Sequence, residues 1–343
     1  MRIVIISYSH HGESIGRECV SLGHEIVGVA DQEIKVLEEF KEKFNCPAYN
    51  DVQKCLDKSK PDIAIVCGKH VLIPTYLQAC IDRRISFLVD KPFADSASRL
   101  RPVAEAAIEH GIPHALTLPN RGSRLVDKIS DMIEKDQLGE LILYSSRLNN
   151  GSPSRYDSTP SYWLNKPLDS GGGSWIVESS HGVDTFLQFA GTGPVTVVGA
   201  ALSNLFYERE VEDTAVGMIR SNSGVLGIIE SGFNYPSGAR AGDHFFRFIG
   251  TKSSVFERYS KEGIPLIEIH TNSGVEIITD VSHGERMKRV IREGLDTIKA
   301  GKIGAPDIMH AVRILEVQDE VYKFARQGKG RVGPHLLGEP TDG

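Results

Sequence analysis

The sequence predicts an α/β protein in two parts: a doubly wound parallel sheet over residues 1–118, then an α+β domain with a largely antiparallel open sheet over residues 119–328. Three observations predict it. Short β-branched runs alternate with helix-period segments through the first third of the chain. The strands there are apolar almost throughout, as when both faces of a parallel sheet are covered. After Pro119 the pattern turns to strands that follow one another through turn-like links such as Ser221-Asn222-Ser223-Gly224.

In the first part Ile3–Ile6, Glu25–Ala30, Asp62–Cys67, Ser86–Val89 and His114–Thr117 read as strands. Gln32–Phe44, Val52–Asp57, Ile73–Arg83 and Ser96–His110 carry apolar residues at helical spacing. Ligands on such a sheet bind beyond the carboxyl ends of its strands. In the second part Ser123–Lys135 reads as a helix. Strands follow at Leu141–Leu148, Val195–Leu202, Thr214–Arg220, Val225–Phe233, Phe245–Ile249, Leu266–His270 and Val275–Ile278. Val183–Ala190, Glu285–Ala300 and Asp307–Arg326 are expected as flanking helices. The Ser/Pro/Gly-rich stretch Asn149–Pro160 reads as a long loop of a kind that is often functional. Residues 329–343 read as a poorly ordered tail.

A net charge of −6, with no Lys/Arg-rich run interleaved with aromatics, argues against nucleic acid as a partner and for a small molecule. The five cysteines, Cys19, Cys46, Cys55, Cys67 and Cys80, are odd in number and lack C-x-x-C spacing. They read as reduced thiols of a cytoplasmic protein, not as a disulfide framework or a zinc site, and no metal is expected. The opening MRIVII is too short for a signal peptide core, and nothing approaches a membrane span.

Ser7-Tyr8-Ser9-His10-His11-Gly12 follows the first strand and opens a helix, where dinucleotide-binding proteins carry G-x-G-x-x-G. Two of the three glycines are serines. Each serine adds a Cβ where the fingerprint wants a tight turn or close backbone approach, yet its hydroxyl and the amides at the helix start still offer an anion site. His10 and His11 add positive charge if protonated. Asp31, nineteen residues after Gly12 at the end of the second strand, suits the ribose hydroxyls and favours NAD over NADP. The competing reading is a helix cap. Asp90-Lys91-Pro92 puts a lysine at a strand exit, with Asp90 placed to orient it. Ser170-Gly171-Gly172-Gly173 precedes His181, read as opening a helix with Asp184 one turn on. Histidine suits proton transfer at neutral pH, although a helix-start residue followed by a first-turn carboxylate is the plainer account.

Together, strand-turn-helix, V-A-D, V-D-K-P, Asn120-Arg121, G-G-G and H-x-x-D resemble the glucose-fructose oxidoreductase, inositol dehydrogenase and rhizopine-catabolism family (Gfo/Idh/MocA) over nearly the whole chain. The resemblance implies a Rossmann-like first domain and a second domain used for homodimer or homotetramer contacts. It implies NAD(P)-dependent hydride transfer to or from a sugar, cyclitol or related polyol. On it, Lys91 lies near the nicotinamide and the substrate hydroxyl, and His181 takes or returns the hydroxyl proton. Asn120, Arg121, Tyr162, Trp163, Asn165 and Asp184 fall on the substrate side. Ser7, Ser9, His10, Gly12, Asp31, Gly68, His70, Asp90 and Lys91 fall on the cofactor side. Three features depart from the family pattern. Val177 stands where an aspartate is common, Gly68-Lys69-His70 replaces T-P-N with Ile73 at a frequent histidine, and the loop carries its serines. Two alternatives accompany this expectation: a catalytically silent sugar- or nucleotide-binding regulator, and a lyase or hydrolase that uses bound NAD transiently.

Overall fold

The computed structural model describes residues 1–7, 10–151, 162–191, 193–235, 242–327 and 331–332, with the backbone alone for His10, Arg331 and Val332. The chain forms two compact units. The first draws on Met1–Leu118, Tyr156–Gly171 and Lys288–Leu315, the second on Pro119–Arg155, Gly172–Met287 and Glu316–Gly343.

In the first unit strands and helices alternate: β1 Arg2–Ile6, α1 His10–Ser21, β2 Glu25–Ala30, α2 Ile34–Phe44, β3 Ala48–Tyr49, α3 Val52–Ser59, β4 Ile63–Val66, α4 Ile73–Asp82, β5 Ser86–Asp90, α5 Ala97–Glu109 and β6 His114–Thr117. The six strands are parallel, in the order β3-β2-β1-β4-β5-β6. Ile3 to Ile6 and Ile63 to Val66 are fully buried, which is why these runs carry no alternation. The winding reverses between β1 and β4, so the carboxyl ends of these two strands form a topological switch point. A short helix, α7 Pro167–Ser170, belongs to the same unit. The two-residue β3 escapes the sequence pattern because it is too short to show a period.

The second unit contains α6 Arg124–Glu134, β7 Leu141–Gly151, α8 Ser174–Phe189, β8 Val195–Ser203, β9 Thr214–Ser221, β10 Leu226–Tyr235, β11 Gly242–Gly250, β12 Ser254–Tyr259, β13 Pro265–Thr271, β14 Gly274–Thr279 and β15 Arg331–Val332. Helices α9 His283–Lys299 and α10 Ile308–Arg326 complete the chain. Among the described residues the sheet has nine strands, ordered β14-β13-β12-β11-β7-β10-β9-β8-β15. It is antiparallel except where β10 lies parallel to β7 and β15 parallel to β8. Helix α8 packs on β7, β9 and β10, with Phe186 against Tyr144 and Tyr144 against Phe248.

Three differences from the sequence expectation have physical causes. Helix α8 begins at Ser174, not Val183, because it is buried on every side through Leu187 and so shows no polar stripe. Strand β7 continues past Leu148 to Gly151, where Asn149 and Asn150 pair with Asp243 and Gly242 of β11. Strand β12 was not expected at all, because its inward positions are Val255 and Glu257, and a charged residue breaks the alternation. The rest of the expected loop to Pro160 and, apart from β15, the expected tail lie outside the described residues.

Glu257 is tolerated inside because Arg286 meets it. The guanidinium Nη2 donates to Glu257 Oε1 at 2.8 Å and to Asp280 Oδ2 at 3.0 Å, all three side chains being buried. Asp280 also accepts the Arg124 and Leu125 amides at 2.8 and 3.2 Å, closing the start of α6. Burial pushes the Glu257 carboxyl up despite the neighbouring guanidinium. Removing the cation would leave two buried carboxylates without it. Arg286→Ala is expected to cost about 3–5 kcal/mol of stability, read from urea unfolding midpoints; a loss below about 1 kcal/mol, the range of a surface pair, would show that the network is not a buried ion cluster in solution.

Candidate active site

The switch point of the first unit carries the remodelled loop. Ser7 ends β1 with φ +62°, its amide donating to the Ala30 carbonyl at 2.7 Å. Its hydroxyl donates to Asp31 Oδ2 at 3.0 Å, while Asp31 Oδ1 accepts the Glu33 amide at 2.8 Å. Asp31 therefore organises the approach to α2 from the end of β2, where dinucleotide-binding folds carry a ribose-binding carboxylate. Helix α1 starts at His10, and a Cβ on Gly12 would lie 3.2 Å from the Ser7 carbonyl oxygen, so the retained glycine keeps the helix close to the turn. Ser9 lies outside the described residues, as does the side chain of His10. These residues fit a dinucleotide: helix-start amides for an anion and a carboxylate at the end of β2.

At the end of β5, Asp90 is 4% exposed and is held from two sides. Thr117 of β6 donates its hydroxyl to Oδ1 at 2.5 Å, and His11 of α1 donates Nδ1–H to Oδ2 at 2.8 Å. Burial opposes ionisation of Asp90, but the His11 ring, the Thr117 hydroxyl and the Lys91 ammonium together hold its carboxyl below the ordinary value. Lys91 follows directly, buried, with a cis peptide to Pro92. His70, also buried, donates Nδ1–H to the Ser170 carbonyl at 2.6 Å and sits edge-on to Trp163 at 4.9 Å. Burial, reinforced by Lys91, lowers its pKa from 6.5 to about 4. The ring is thus neutral at pH 7, and its fixed tautomer makes Nε2 an acceptor. Beside Trp163, Tyr162 is exposed, with the Lys166 ammonium 5.2 Å from its ring centroid, and Lys69 pairs with Asp169 at 3.2 Å. Asn165 closes the same short turn, Tyr162–Asn165.

In the second unit the glycine run ends against the start of α8. A Cβ on Gly172 would lie 2.0 Å from the Tyr322 hydroxyl, and one on Gly173 2.0 Å from the Glu212 carbonyl. Glu212 Oε1 accepts the Gly173 and Trp175 amides at 2.9 and 2.8 Å and the Tyr322 hydroxyl at 2.8 Å. His181 does not open this helix; it lies two turns inside it, 3% exposed, with its ring 6.4 Å from that of His283. Asp184 is 1% exposed and receives Arg121 through Nε at 3.0 Å and Nη2 at 2.6 Å, so the geometry gives Asp184 an internal bracing role. Asn120, in the turn Pro119–Gly122, has a buried Nδ2 with no hydrogen-bond partner among the described residues.

The structure thus joins Ser7 to Asp31 and Asp90 to Lys91 in one unit, and Arg121 to Asp184 in the other. It also shows three residues that sequence reasoning did not select. His11 reads in the sequence only as a source of positive charge, whereas its place on α1 brings its ring to Asp90 of β5. Thr117 was read only as the end of a strand. Glu212 gave no sequence signal, since its role depends on the buried end of a helix nearly forty residues earlier.

A parallel nucleotide-type sheet with a carboxylate after β2 and a lysine after β5, followed by an α+β unit with an open sheet, is the build of a two-domain nicotinamide-dependent oxidoreductase. The chain belongs to the GFO/IDH/MocA family. The profile of the oxidoreductase family's NAD-binding Rossmann fold matches residues 1–116, and that of the GFO/IDH/MocA C-terminal domain matches residues 126–256. No sequence among the curated proteins matches the chain. Among solved structures, levoglucosan dehydrogenase in complex with NADH and levoglucosan is similar, with 15% identity, TM-score 0.84, and coverage of 96% of this chain and 98% of that one. A 3-ketoreductase from Actinomadura kijaniata, in complex with NADP and TDP-benzene, is similar at 14% identity and TM-score 0.78, over 97% of this chain and 98% of that one. At these identities the likeness shows the fold. No helix of the described residues is long and apolar enough to cross a membrane.

The depressed pKa of His70 gives a pH test. The unfolded imidazole takes up a proton below 6.5, whereas the folded one resists protonation down to about 4. Stability must therefore fall as pH drops through that window, by at most ~1.4 kcal/mol per pH unit and about 3 kcal/mol in all. In His70→Asn this component is expected to vanish, so the free-energy difference between wild type and variant should shrink steadily from pH 7 to pH 4. A difference independent of pH would show that His70 is not a buried neutral imidazole.

Proposed function

We propose that the protein is an NAD(P)-dependent oxidoreductase that transfers hydride between the nicotinamide and a CH–OH or keto group of a sugar, cyclitol or related polyol, with NAD preferred. The observation that carries it is Lys91: a buried ammonium at the carboxyl end of a strand beside the switch point, next to an ionised aspartate held on both oxygens. Solved structures with the same fold hold NADH with levoglucosan, or NADP with a TDP derivative, and support a sugar-type substrate. A nicotinamide dinucleotide, when bound, supplies the hydride acceptor or donor. Lys91 stabilises the negative charge that develops on the substrate oxygen. His181 accepts the hydroxyl proton in the oxidation and returns it in the reduction, a task for an imidazole uncharged beforehand. Asn120, Arg121, Tyr162 and Trp163 contact the substrate, and Asp184 acts through Arg121. Asp31 sets the preference for NAD by repelling a 2′-phosphate.

Val177 favours a second reading. An apolar side chain one turn before His181 cannot hold the imidazole tautomer, and a silent sugar- or nucleotide-binding protein would tolerate that. Buried Glu178, three residues before His181, shares its face of α8 and is the carboxylate available to it there. We also propose a homodimer or homotetramer through the outer face of the second sheet. Leu226 and Ile228 on β10, and Met218 opposite Ile228, are 46%, 37% and 43% exposed on one side of adjacent strands.

With NAD and a panel of polyols and keto-sugars, Lys91→Ala is expected to abolish turnover while NAD affinity stays within a few fold. His181→Ala is expected to slow it by roughly two to four decades. Unchanged rates in both variants would refute these roles, binding without turnover would favour the silent reading, and substrate loss without net change in nicotinamide absorbance would indicate a lyase or hydrolase. For the assembly, Ile228→Asp is expected to lower the mass measured by light scattering to that of one chain; a wild-type protein already at that mass would exclude the interface.

A further inference from the structure

The first glycine position of the loop holds a serine in a backbone conformation that side chains avoid, and its surroundings explain how. Ser7 sits at φ +62°, and the residue facing its side chain is Gly68, itself at φ +98°. A Cβ on Gly68 would lie 2.1 Å from Ser7 Oγ and 2.4 Å from Ser7 Cβ. The hydroxymethyl group therefore occupies the volume that any side chain at position 68 would need. Its Oγ then reaches Asp31 Oδ2 at 3.0 Å, while the other carboxylate oxygen is held by the Glu33 amide at 2.8 Å.

A serine hydroxyl has one hydrogen. Donated to Asp31, it cannot at the same time be given to a diphosphate, so anion binding rests with the helix-start amides, and Ser7 acts on the ribose side. A left-handed serine is strained relative to glycine, and a charge-assisted hydrogen bond offsets that strain. We propose that Ser7, housed by the bare Gly68, is a positioning residue that fixes the Asp31 carboxylate in the orientation that reads the ribose hydroxyls of NAD and rejects the 2′-phosphate of NADP. The proposal rests on the reading that Asp31 faces the adenosine ribose. It makes positions 7 and 68 one exchange: the glycine that the loop lacks is found across the switch point.

The test is calorimetric titration of the full-length protein with NAD and NADP, with thermal melting of the unliganded protein as a control for folding. In Ser7→Gly the NAD dissociation constant is expected to rise about three- to tenfold, as for one lost hydrogen bond, with NADP affinity unchanged or improved. The ratio of the two constants should thus narrow, while the unliganded protein melts no lower than wild type because the strained serine is gone. Gly68→Ala is expected to weaken NAD binding by driving the Ser7 side chain away from Asp31, and to weaken it less when Ser7 is already glycine. An unchanged NAD/NADP ratio in Ser7→Gly, or strictly additive effects of the two substitutions, would overturn the inference. If Gly68→Ala does not fold, the Ser7→Gly ratio decides alone. A wild-type protein that binds neither nucleotide overturns the cofactor reading and the inference with it. A ratio that responds to Asp31→Ala but not to Ser7→Gly overturns the inference only.

Discussion

A carboxylate taken out of water has to be paired, hydrogen-bonded or protonated, and the first unit is organised around how Asp90 meets that demand. One oxygen takes the Thr117 hydroxyl from β6 and the other the His11 ring from α1, so three elements are joined at the carboxyl edge of the sheet. The next residue along the chain is Lys91. Because the backbone of Asp90 cannot shift without breaking two charge-assisted bonds, the lysine leaves the strand from a fixed point. The His11 bond also fixes the first turn of α1, the segment that follows the remodelled loop. One buried charge thus sets the geometry of both the lysine and the start of α1.

Helix α8 solves a related problem at its own start. Its first turn is buried, and a buried helix start has amides that the helix itself cannot satisfy. Glu212 supplies a carboxylate oxygen to two of them, and burial raises its pKa against the Tyr322 hydroxyl and the amides that favour the ion. Side chains at 172 or 173 would collide with Tyr322 or with the Glu212 backbone, so the glycines serve this cap before they serve any ligand. Further along, Gln318 donates to the Trp175 and Ile176 carbonyls and pins the helix that carries His181. The His181 imidazole is thus carried on a segment whose backbone is held by a buried side chain several residues away.

Much of this was legible in the sequence where the governing interaction is local. The alternation of β1 to β6 with helices follows from periodicity, and Asp31 and Lys91 are visible because each ends a strand whose register is clear. What escaped depends on pairing across the fold. Strand β12 is hidden because Glu257 occupies an inward position that only Arg286, almost thirty residues on, makes acceptable. The true start of α8 is hidden because a helix without a water-facing side leaves no periodic trace. Nothing in the sequence marks His11 as the residue that meets Asp90; the turn of α1 brings its ring to β5.

Two of the departures from the family pattern, at positions 7 and 68, are coupled. A serine at position 7 would clash with any side chain at position 68, and the glycine present there avoids it. Asp90 and His11 are likewise matched, the imidazole from α1 meeting the carboxylate at 2.8 Å. Random decay of a binding loop would remove contacts one at a time and leave unsatisfied partners behind. Here Ser7 meets Gly68 in van der Waals fit and Asp31 through a hydrogen bond. Coupled replacement of this kind changes the parts of the turn together, and it leaves the Asp31 carboxylate at the end of β2 held by the Ser7 hydroxyl on one oxygen and by the Glu33 amide on the other.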